Sequence, residues 1–200
     1  MTGADGRLLR IANIVAAIER SGAVSLGLAE TCEALAGAPG WEVAILARRC
    51  ERLDLPARLV SGVADLLLAR EFLAADLLIY HFGGWDPLFD ALVAGNGRAR
   101  QAVFVHPLQP VDMAAANERQ RAARSFVQLD ALRRADRLWP TSPASAALLA
   151  ARAFDPARIE PFPPEPDGAL IRDRIAALLP ARPQDAPEFN SPDPAATLRR

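Results

Sequence analysis

The stretch Asp-Leu-Leu-Ile-Tyr-His-Phe at residues 76–82 decides the fold. Its apolar residues run almost without interruption instead of alternating with polar ones, which is typical of a strand buried on both faces of a sheet. Gly83 and Gly84 end the strand, and Asp86-Pro87 then predicts a helix with an N-cap and a proline at its first position. A buried strand followed at once by a helix indicates a parallel α/β sheet.

The same alternation extends in both directions from this strand. Dense apolar runs predict further strands at residues 8–17, 41–47, 58–60, 102–106, 137–140 and 158–162. Helical spacing predicts helices at 24–36, 65–74, 114–134 and 143–154, besides the one that Asp86 opens and Gly95 closes. Right-handed crossovers restrict such a chain to doubly wound arrangements. The sequence therefore predicts a Rossmann-like, doubly wound α/β fold with a mostly parallel sheet and helices on both faces.

The composition of the chain changes after Pro161. Nine of the 17 prolines lie from Pro161 onward. We predict one domain at residues 7–161, followed at 162–180 by a Pro-rich linker and an amphipathic helix, which spans 167–179 with Asp167 as its N-cap. Residues 1–6 and 181–200 are predicted to be disordered, since the C-terminal stretch is rich in Pro, Asp and Arg and poor in apolar residues.

The bulk composition excludes several classes of protein. The 200-residue chain is 51% hydrophobic with a net charge of −1, which favours a globular domain and gives no general attraction to nucleic acid. All 23 basic residues are Arg, a habit typical of GC-rich bacterial genomes. No apolar stretch reaches the ~20 residues of a membrane span, and we see no leader peptide. A cytoplasmic location is predicted, and peripheral contact with a membrane surface stays open.

The two cysteines, Cys32 and Cys50, do not indicate a metal or redox site. Two are too few for a disulfide framework, and neither lies in a cluster with metal-ligand spacing. We predict no metal and no cofactor.

Candidate binding residues follow from the geometry of parallel sheets, in which ligands bind beyond the carboxyl ends of the strands. Residues of this kind are Ser21, Gly22 and Ser25 after the first strand, His81, Gly83, Gly84 and Trp85 at the fourth, His106 and Gln109 at the fifth, and Thr141 and Ser142 after the sixth. Both histidines of the chain belong to this set. A neutral imidazole can exchange hydrogen bonds with a sugar hydroxyl; the alternative is that each histidine bonds a loop carbonyl and simply ends its strand.

Other motifs are ambiguous or absent. Gly83-Gly84 either lets a ligand approach the backbone or forms a tight turn before Asp86. The small residues at 21–25 precede a helix N-terminus that suits a phosphate. No GxGxxG, GxxxxGK[ST] or Gly-x-Ser-x-Gly pattern occurs, which disfavours NAD, P-loop and α/β-hydrolase sites. The arginines between 119 and 137 alternate with acidic residues and indicate a solvated helix face.

The order of these segments resembles the N-terminal, acceptor-side domain of retaining GT-B glycosyltransferases that use nucleotide-sugar donors. The resemblance covers about residues 7–166. It rests on residues 76–87, on Val-Phe-Val-His-Pro-Leu-Gln-Pro at 103–110, on Ala-Asp-Arg-Leu-Trp-Pro-Thr-Ser-Pro-Ala-Ser at 135–145 and on the linker-like Ile-Glu-Pro-Phe-Pro-Pro at 159–164. It implies that His106 is the catalytic residue beside the transferred sugar and that the other candidates bind substrate.

The sequence departs from that family in one large respect. A GT-B enzyme has a second Rossmann-like domain with a Glu-x₇-Glu pair, whereas no two glutamates here have that spacing and about 35 residues follow the linker. The resemblance therefore implies a half enzyme, truncated or split and inactive alone. It would take a nucleotide-sugar donor and a glycan acceptor when a donor-domain polypeptide completes it. The alternative is a non-catalytic module that binds carbohydrate or protein.

Overall fold

The structure, a computed structural model, describes residues 8–163 and 167–179. The disorder predicted at 1–6 and 181–200 lies outside the described residues, as do the linker residues 164–166. Within the described ranges the chain forms one sheet of six parallel strands, which are β1 Leu9–Ile18, β2 Trp41–Cys50, β3 Arg58–Leu59, β4 Leu77–Phe82, β5 Arg100–Val105 and β6 Arg137–Pro140. The predicted Rossmann-like, doubly wound α/β fold is confirmed.

The order of the strands places a crevice near the middle of the sheet. Across the sheet the strands follow the order β3-β2-β1-β4-β5-β6. The chain moves outward from β1 to β3 on one side and then returns to place β4 on the other side of β1. The connections after β1 and β4 therefore leave in opposite directions and open a crevice at the carboxyl edge.

The side chains of β4 alternate between the two faces of the sheet. Leu78, Tyr80 and Phe82 belong to one apolar cluster, and Leu77 and Ile79 belong to another. We call these clusters the first and the second face. By the same alternation His81 lies on the second face.

Helices cover both faces. They are α1 Ala23–Leu35, α2 Val63–Leu68, α3 Arg70–Ala74, α4 Ala91–Ala94, α5 Arg119–Gln128, α6 Pro143–Ala151 and α7 Gly168–Ala176. The first face is covered by Leu66 of α2, Phe72 of α3 and Leu149 of α6, whereas Leu35 of α1 and Ile171 of α7 cover the second face. No helix in the described ranges is both long enough and apolar enough to cross a bilayer.

Two predicted helix starts are confirmed in detail. An Asp86 carboxylate oxygen accepts a hydrogen bond from the Leu88 amide at 3.0 Å, and Asp167 accepts one from Leu170 at 2.6 Å. The residues after Asp86 first form a 3-10 turn, Pro87–Asp90, before α4 begins.

The helix predicted at 65–74 is wrong as a single element, because it is divided into α2 and α3 at Ala69. This residue is fully buried and has an extended backbone, with φ −64° and ψ 131°. The break lets Leu66 and Phe72 both enter the core of the first face.

The helix predicted at 114–134 is also shorter than expected. It begins at Arg119, and its last six residues form a 3-10 helix, Leu129–Arg134. A 3-10 helix has three residues per turn, so Leu129 and Leu132 lie on the same side, and both are fully buried.

The strand predicted at 158–162 is reduced to one bridge, Leu138 to Ile159, beside β6. The Glu160 and Phe162 amides still donate to carbonyls of β6 at 2.9 and 3.0 Å. Pro161 and Pro163 lack the N–H groups and the backbone freedom that a longer strand would use.

The last described helix packs back onto the domain. Ile171 and Ile175 of α7 are buried in the second face beside α1. The Arg172 guanidinium donates to the Ala34 carbonyl of α1 at 3.1 Å. The Arg174 guanidinium lies 4.3 Å from the centre of the Phe162 ring and donates to the Glu160 carbonyl at 2.7 Å. Residues 167–179, which follow the Pro-rich stretch, are thus part of the folded unit.

We expect the Asp167→Ala variant to lose about 1 kcal/mol of unfolding free energy, because the first turn of α7 loses its side-chain cap. Urea denaturation followed by circular dichroism measures this. Asp173→Ala is the matched control: Asp173 is exposed within the same helix, and alanine favours a helix interior, so its stability should not fall. Equal losses in the two variants would contradict the assigned cap.

Candidate functional site

A cavity of about 280 Å³ opens at the carboxyl edge of the sheet, and we call it the edge cavity. Its walls come from the ends of three strands, with Ala16 from β1, Gly83 after β4 and Pro107 after β5. The first turn of α1 and Arg121 of α5 complete it. The edge cavity therefore lies at the crevice that the strand order creates.

Both histidines border this cavity. His81 and His106 are 1% and 2% exposed, and their rings stack with 5.8 Å between centroids and 22° between planes. Phe104 lies beneath His81 at a centroid distance of 5.0 Å. These stacked contacts fix the two imidazoles side by side on the second face.

Burial keeps both imidazoles neutral at pH 7. It lowers the pKa of His106 from 6.5 to about 4. Burial, and secondarily the neighbouring His106, lower the pKa of His81 well below its ordinary value. A neutral imidazole both donates and accepts one hydrogen bond, which suits a hydroxyl group, and it carries no charge with which to attract an anion.

A buried asparagine of β1 holds His81. The Asn13 Oδ1 atom lies 3.2 Å from His81 Nε2, while Asn13 Nδ2, His81 Nδ1 and His106 Nε2 have no hydrogen-bond partner within the described part of the chain. If Oδ1 accepts from Nε2–H, the Asn13 Nδ2 group has no acceptor; if the amide is turned over, the His81 Nδ1–H has none. Either arrangement leaves hydrogen-bonding capacity for a water or a ligand hydroxyl.

The turn after β1 shapes the rim of the edge cavity. Gly22 adopts φ +128°, which favours glycine, and precedes α1 without a side-chain cap on the helix. The Ser25 hydroxyl accepts from the Glu19 amide at 2.9 Å and so holds the turn. Gly22 and Ser25 line the cavity, whereas Ser21 is exposed and does not. The α1 N-terminus and Arg121 bring positive charge to this rim, and the Glu19 carboxylate, whose Oε2 lies 3.6 Å from a Cβ placed on Gly22, offsets part of it.

Some of the residues after β4 line the edge cavity, and others hold its wall in place. Gly83 and Gly84 line the edge cavity, and a Cβ on Gly83 would lie 2.4 Å from Val24 Cγ2. Trp85 is half-buried beside the cavity: its amide donates to the Ser125 hydroxyl at 2.7 Å, and the Arg124 guanidinium lies 4.9 Å from its ring centre. Gly83 therefore permits the close approach of α1 to β4.

Apart from His106, the candidates after β5 and β6 do not line the edge cavity. Gln109 is exposed and borders neither the edge cavity nor a second cavity that lies on the other side of His106. The Thr141 hydroxyl donates to the Val105 carbonyl at 3.3 Å, and Ser142 caps α6. In the described residues, no group of three His, Cys, Asp or Glu side chains is arranged to hold a metal.

A second cavity lies on the other side of His106, and we call it the helix-side cavity. It has a volume of about 210 Å³ and lies between α1, the end of β5 and the segment that leads into α7. Phe104, Phe162 and Ile171 give it an apolar lining, with Thr141 and Glu30 at its polar parts. His106 thus borders both cavities.

Sequence reasoning did not identify Asn13, Gly27, Glu30 or Arg121. Asn13 carried a signal, since an amide inside an apolar strand needs a buried partner. Gly27 carried another, because glycine disfavours helix interiors; a Cβ there would lie 2.9 Å from His106 Cε1. Glu30 and Arg121 lie among other charged residues, and their positions depend on the packing of helices.

Comparisons with known proteins identify a shared fold. No protein-family model matches the sequence, and no curated protein matches it. Among solved structures, S. aureus MnaA with UDP matches with a TM-score of 0.53 and 12% identity, over 76% of this chain and 44% of that one. A UDP-N-acetylglucosamine 2-epimerase structure from Listeria monocytogenes gives 0.48 and 15%, over 76% and 44%, and another such epimerase gives 0.43 and 11%, over 76% and 47%. The chain spans less than half the length of each, and the likeness to MnaA shows a common fold.

We expect Gly83→Ala to lower the unfolding free energy by about 1–3 kcal/mol, because the new methyl group would overlap the stiff Val24 side chain. Gly84→Ala is the matched control, since a Cβ there meets its nearest atom, Ser125 Oγ, at an ordinary 3.7 Å. Urea denaturation of both variants checks this. A Gly83→Ala variant as stable as Gly84→Ala would show that α1 is not held against β4 at this point.

The depressed histidine pKa values predict that the fold loses stability in mild acid. Below pH 6.5 the histidines of the unfolded chain bind protons, whereas the buried histidines of the folded chain stay neutral. The free energy of unfolding therefore decreases as the pH falls toward about 4. Each histidine contributes at most about 1.4 kcal/mol per pH unit.

The measurement is a series of urea denaturation curves from neutral pH to about pH 5. The free energy of unfolding of the His106→Gln variant should depend less steeply on pH than that of the wild-type chain, because one of the two histidines with a lowered pKa has been removed. Identical slopes would mean that His106 titrates normally.

Proposed function

We propose that this chain is the sugar-facing half of a GT-B-like nucleotide-sugar enzyme, with glycosyl transfer as its reaction. The observation that carries the proposal is the pair of neutral, buried imidazoles, His81 and His106, beside the edge cavity at the switch point of the sheet. Small-molecule sites of doubly wound proteins lie at this point.

The chemistry of the histidine pair fits a sugar. Hydroxyl groups are uncharged and both donate and accept hydrogen bonds, as neutral imidazole does. In this proposal His106 bonds a hydroxyl of the transferred sugar, and Gly83 and Gly84 let the sugar approach the backbone. His81 is held by Asn13 and orients the stack. Removing one such neutral hydrogen bond weakens binding by about 3- to 10-fold.

The departing diphosphate would be handled by a different part of the cavity. Since neither imidazole is protonated at pH 7, the negative charge needs another partner. Among the described residues no side chain caps the N-terminus of α1 at Gly22, which presents the positive end of a helix dipole, and Arg121 lies on the same cavity. We assign the phosphates to this rim.

Catalysis by the proposed enzyme needs a second wall. The edge cavity is open to solvent, while stabilising a departing diphosphate depends on a closed, water-poor cleft. A donor-domain polypeptide would supply that wall, with a nucleotide sugar bound between the halves and a glycan or another alcohol as acceptor.

A non-catalytic binding module is the alternative function. It would gain support from a C-terminal segment packed across the carboxyl edge. Within the described residues, α7 packs on the second face and none of its residues borders the edge cavity. This placement leaves the edge cavity free for a donor domain, and on that ground we favour the half-enzyme.

The test exploits the presence of two histidines in the whole chain. The ¹⁵N-labelled full-length chain is titrated with UDP-N-acetylglucosamine, UDP-glucose and free UDP, and the two imidazole signals are followed by NMR. We expect a sugar nucleotide to shift both imidazole signals, whereas free UDP should shift the amides of residues 22–25 and leave the imidazoles nearly unchanged.

Variants make this result specific. His106→Ala should weaken sugar-nucleotide binding by about 3- to 10-fold. Gln109→Ala is the control and should bind as the wild-type chain does, because Gln109 borders neither cavity. If every sugar nucleotide leaves both imidazole signals unchanged, the proposed function is wrong.

A further inference from the structure

We propose that the helix-side cavity binds a small, neutral aromatic alcohol. Its role as the acceptor pocket rests on the proposed function; binding of the ring does not.

The size of the cavity fits one six-membered ring. Its volume is about 210 Å³. An apolar protein cavity of about 150 Å³ accepts benzene, so a phenol-sized molecule has room here with little space left over. A disaccharide or a nucleotide would not be enclosed.

The wall of the cavity favours an aromatic ring. Phe104 and Phe162 both border it, with ring centroids 5.1 Å apart and planes inclined by 53°. Trp139 packs against both rings, at 5.0 and 5.6 Å, and holds them in place. Phe104 and Phe162 are 5% and 6% exposed, so a ligand ring would meet the small part of each ring that borders the cavity, in the edge or offset contacts that aromatic rings prefer.

The polar groups favour a hydroxyl on that ring. His106 borders the cavity, is neutral at pH 7, and its Nε2 has no hydrogen-bond partner among the described residues. The Thr141 hydroxyl lies on the same wall. Glu30 is exposed at the rim without an ion-pair partner in the described ranges, so it repels a carboxylate or a phosphate.

The cavity is built by close packing. A Cβ at Gly27 would lie 2.9 Å from His106 Cε1, so a glycine is needed for α1 to press against the imidazole. The far wall, Phe162 and Ile171, comes from the segment that returns from β6 to dock α7. Two separate parts of the chain thus line the same ring-sized space.

The position of His106 links this cavity to the proposed sugar site. The same imidazole borders both cavities. An alcohol whose ring lies against Phe104 and whose hydroxyl reaches His106 is placed beside the sugar of the edge cavity. We therefore infer that the acceptor, or the part of it that is recognised, is an aromatic alcohol.

The experiment titrates the full-length chain with three matched fluorinated probes and follows them by ¹⁹F NMR, with the two imidazole signals as a second readout. The probes are 4-fluorophenol, fluorobenzene and 4-fluorobenzoate. We expect 4-fluorophenol to bind with a Kd on the order of 1 mM and to shift the His106 signal. Fluorobenzene should bind about 3- to 10-fold more weakly because it lacks the hydroxyl, and 4-fluorobenzoate should bind least.

Two pairs of variants locate the site. Leu26 and Leu59 are similarly exposed, at 55% and 59%, but Leu26 alone of the two borders the helix-side cavity. Leu26→Ala should weaken 4-fluorophenol binding several-fold, and Leu59→Ala should not. Glu30→Gln should raise the affinity for 4-fluorobenzoate, whereas Glu33→Gln, an exposed change on the same helix outside this cavity, should leave it unchanged.

The inference is overturned if 4-fluorophenol leaves the His106 signal in place, if 4-fluorobenzoate binds as well as 4-fluorophenol, or if both leucine variants respond alike. Its failure is distinguishable from that of the proposed function. Sugar nucleotides that shift both imidazoles while 4-fluorophenol does not bind would leave the function standing and remove the aromatic pocket. Binding of 4-fluorophenol without any response to sugar nucleotides would do the reverse.

Discussion

The complete burial of β4 is the constraint on which the rest of the structure depends. All six residues of Leu77–Phe82 are buried, so their backbone N–H and C=O groups reach no water and must pair with a strand on each side. The two neighbours, β1 and β5, are parallel to β4. Their carboxyl ends therefore meet at one edge, and the position of the site follows from the burial of a single strand.

The same burial decides what the site can do. It takes His81 and His106 out of water and, by lowering their pKa values, keeps them neutral hydrogen-bonding groups well below pH 7. Charge is found elsewhere, at the α1 N-terminus, Arg121 and Glu19. The edge cavity thus has an uncharged interior at the two histidines and both basic and acidic groups at its rim.

Local chemistry explains which features could be predicted from the sequence. The continuous apolar run of β4 and the Asp86 and Asp167 caps depend on neighbouring residues, and these predictions are confirmed. The 3-10 turn at Leu129–Arg134 could not be predicted, because Leu129 and Leu132 are spaced three apart in either kind of helix. The partition between α2 and α3 depends on what Ala69 packs against, which the sequence does not state.

The site was predictable to a similar degree. Strand ends identify His81, His106, Gly83 and Gly22 as candidates, since parallel strands share an edge. Asn13, the hydrogen-bond partner of His81, and the close contact of Gly27 with His106 could not be predicted, because both depend on which face of the sheet α1 covers. An amphipathic pattern predicts that α7 buries one side, but only packing decides that this side meets α1 and completes the helix-side cavity.

The docking of α7 joins the occupancy of that cavity to the local stability of the chain. Ile171 is at once an anchor of the helix and part of the cavity wall. A molecule that fills the cavity has more contacts when α7 is docked than when it is released, so by linkage it holds the helix in place, and a firmly docked helix in turn improves the cavity. A ligand in the helix-side cavity therefore makes α7 harder for a protease to cleave. By linkage, the ligand strengthens the docking of α7 by the same factor as the docked helix strengthens the binding of the ligand.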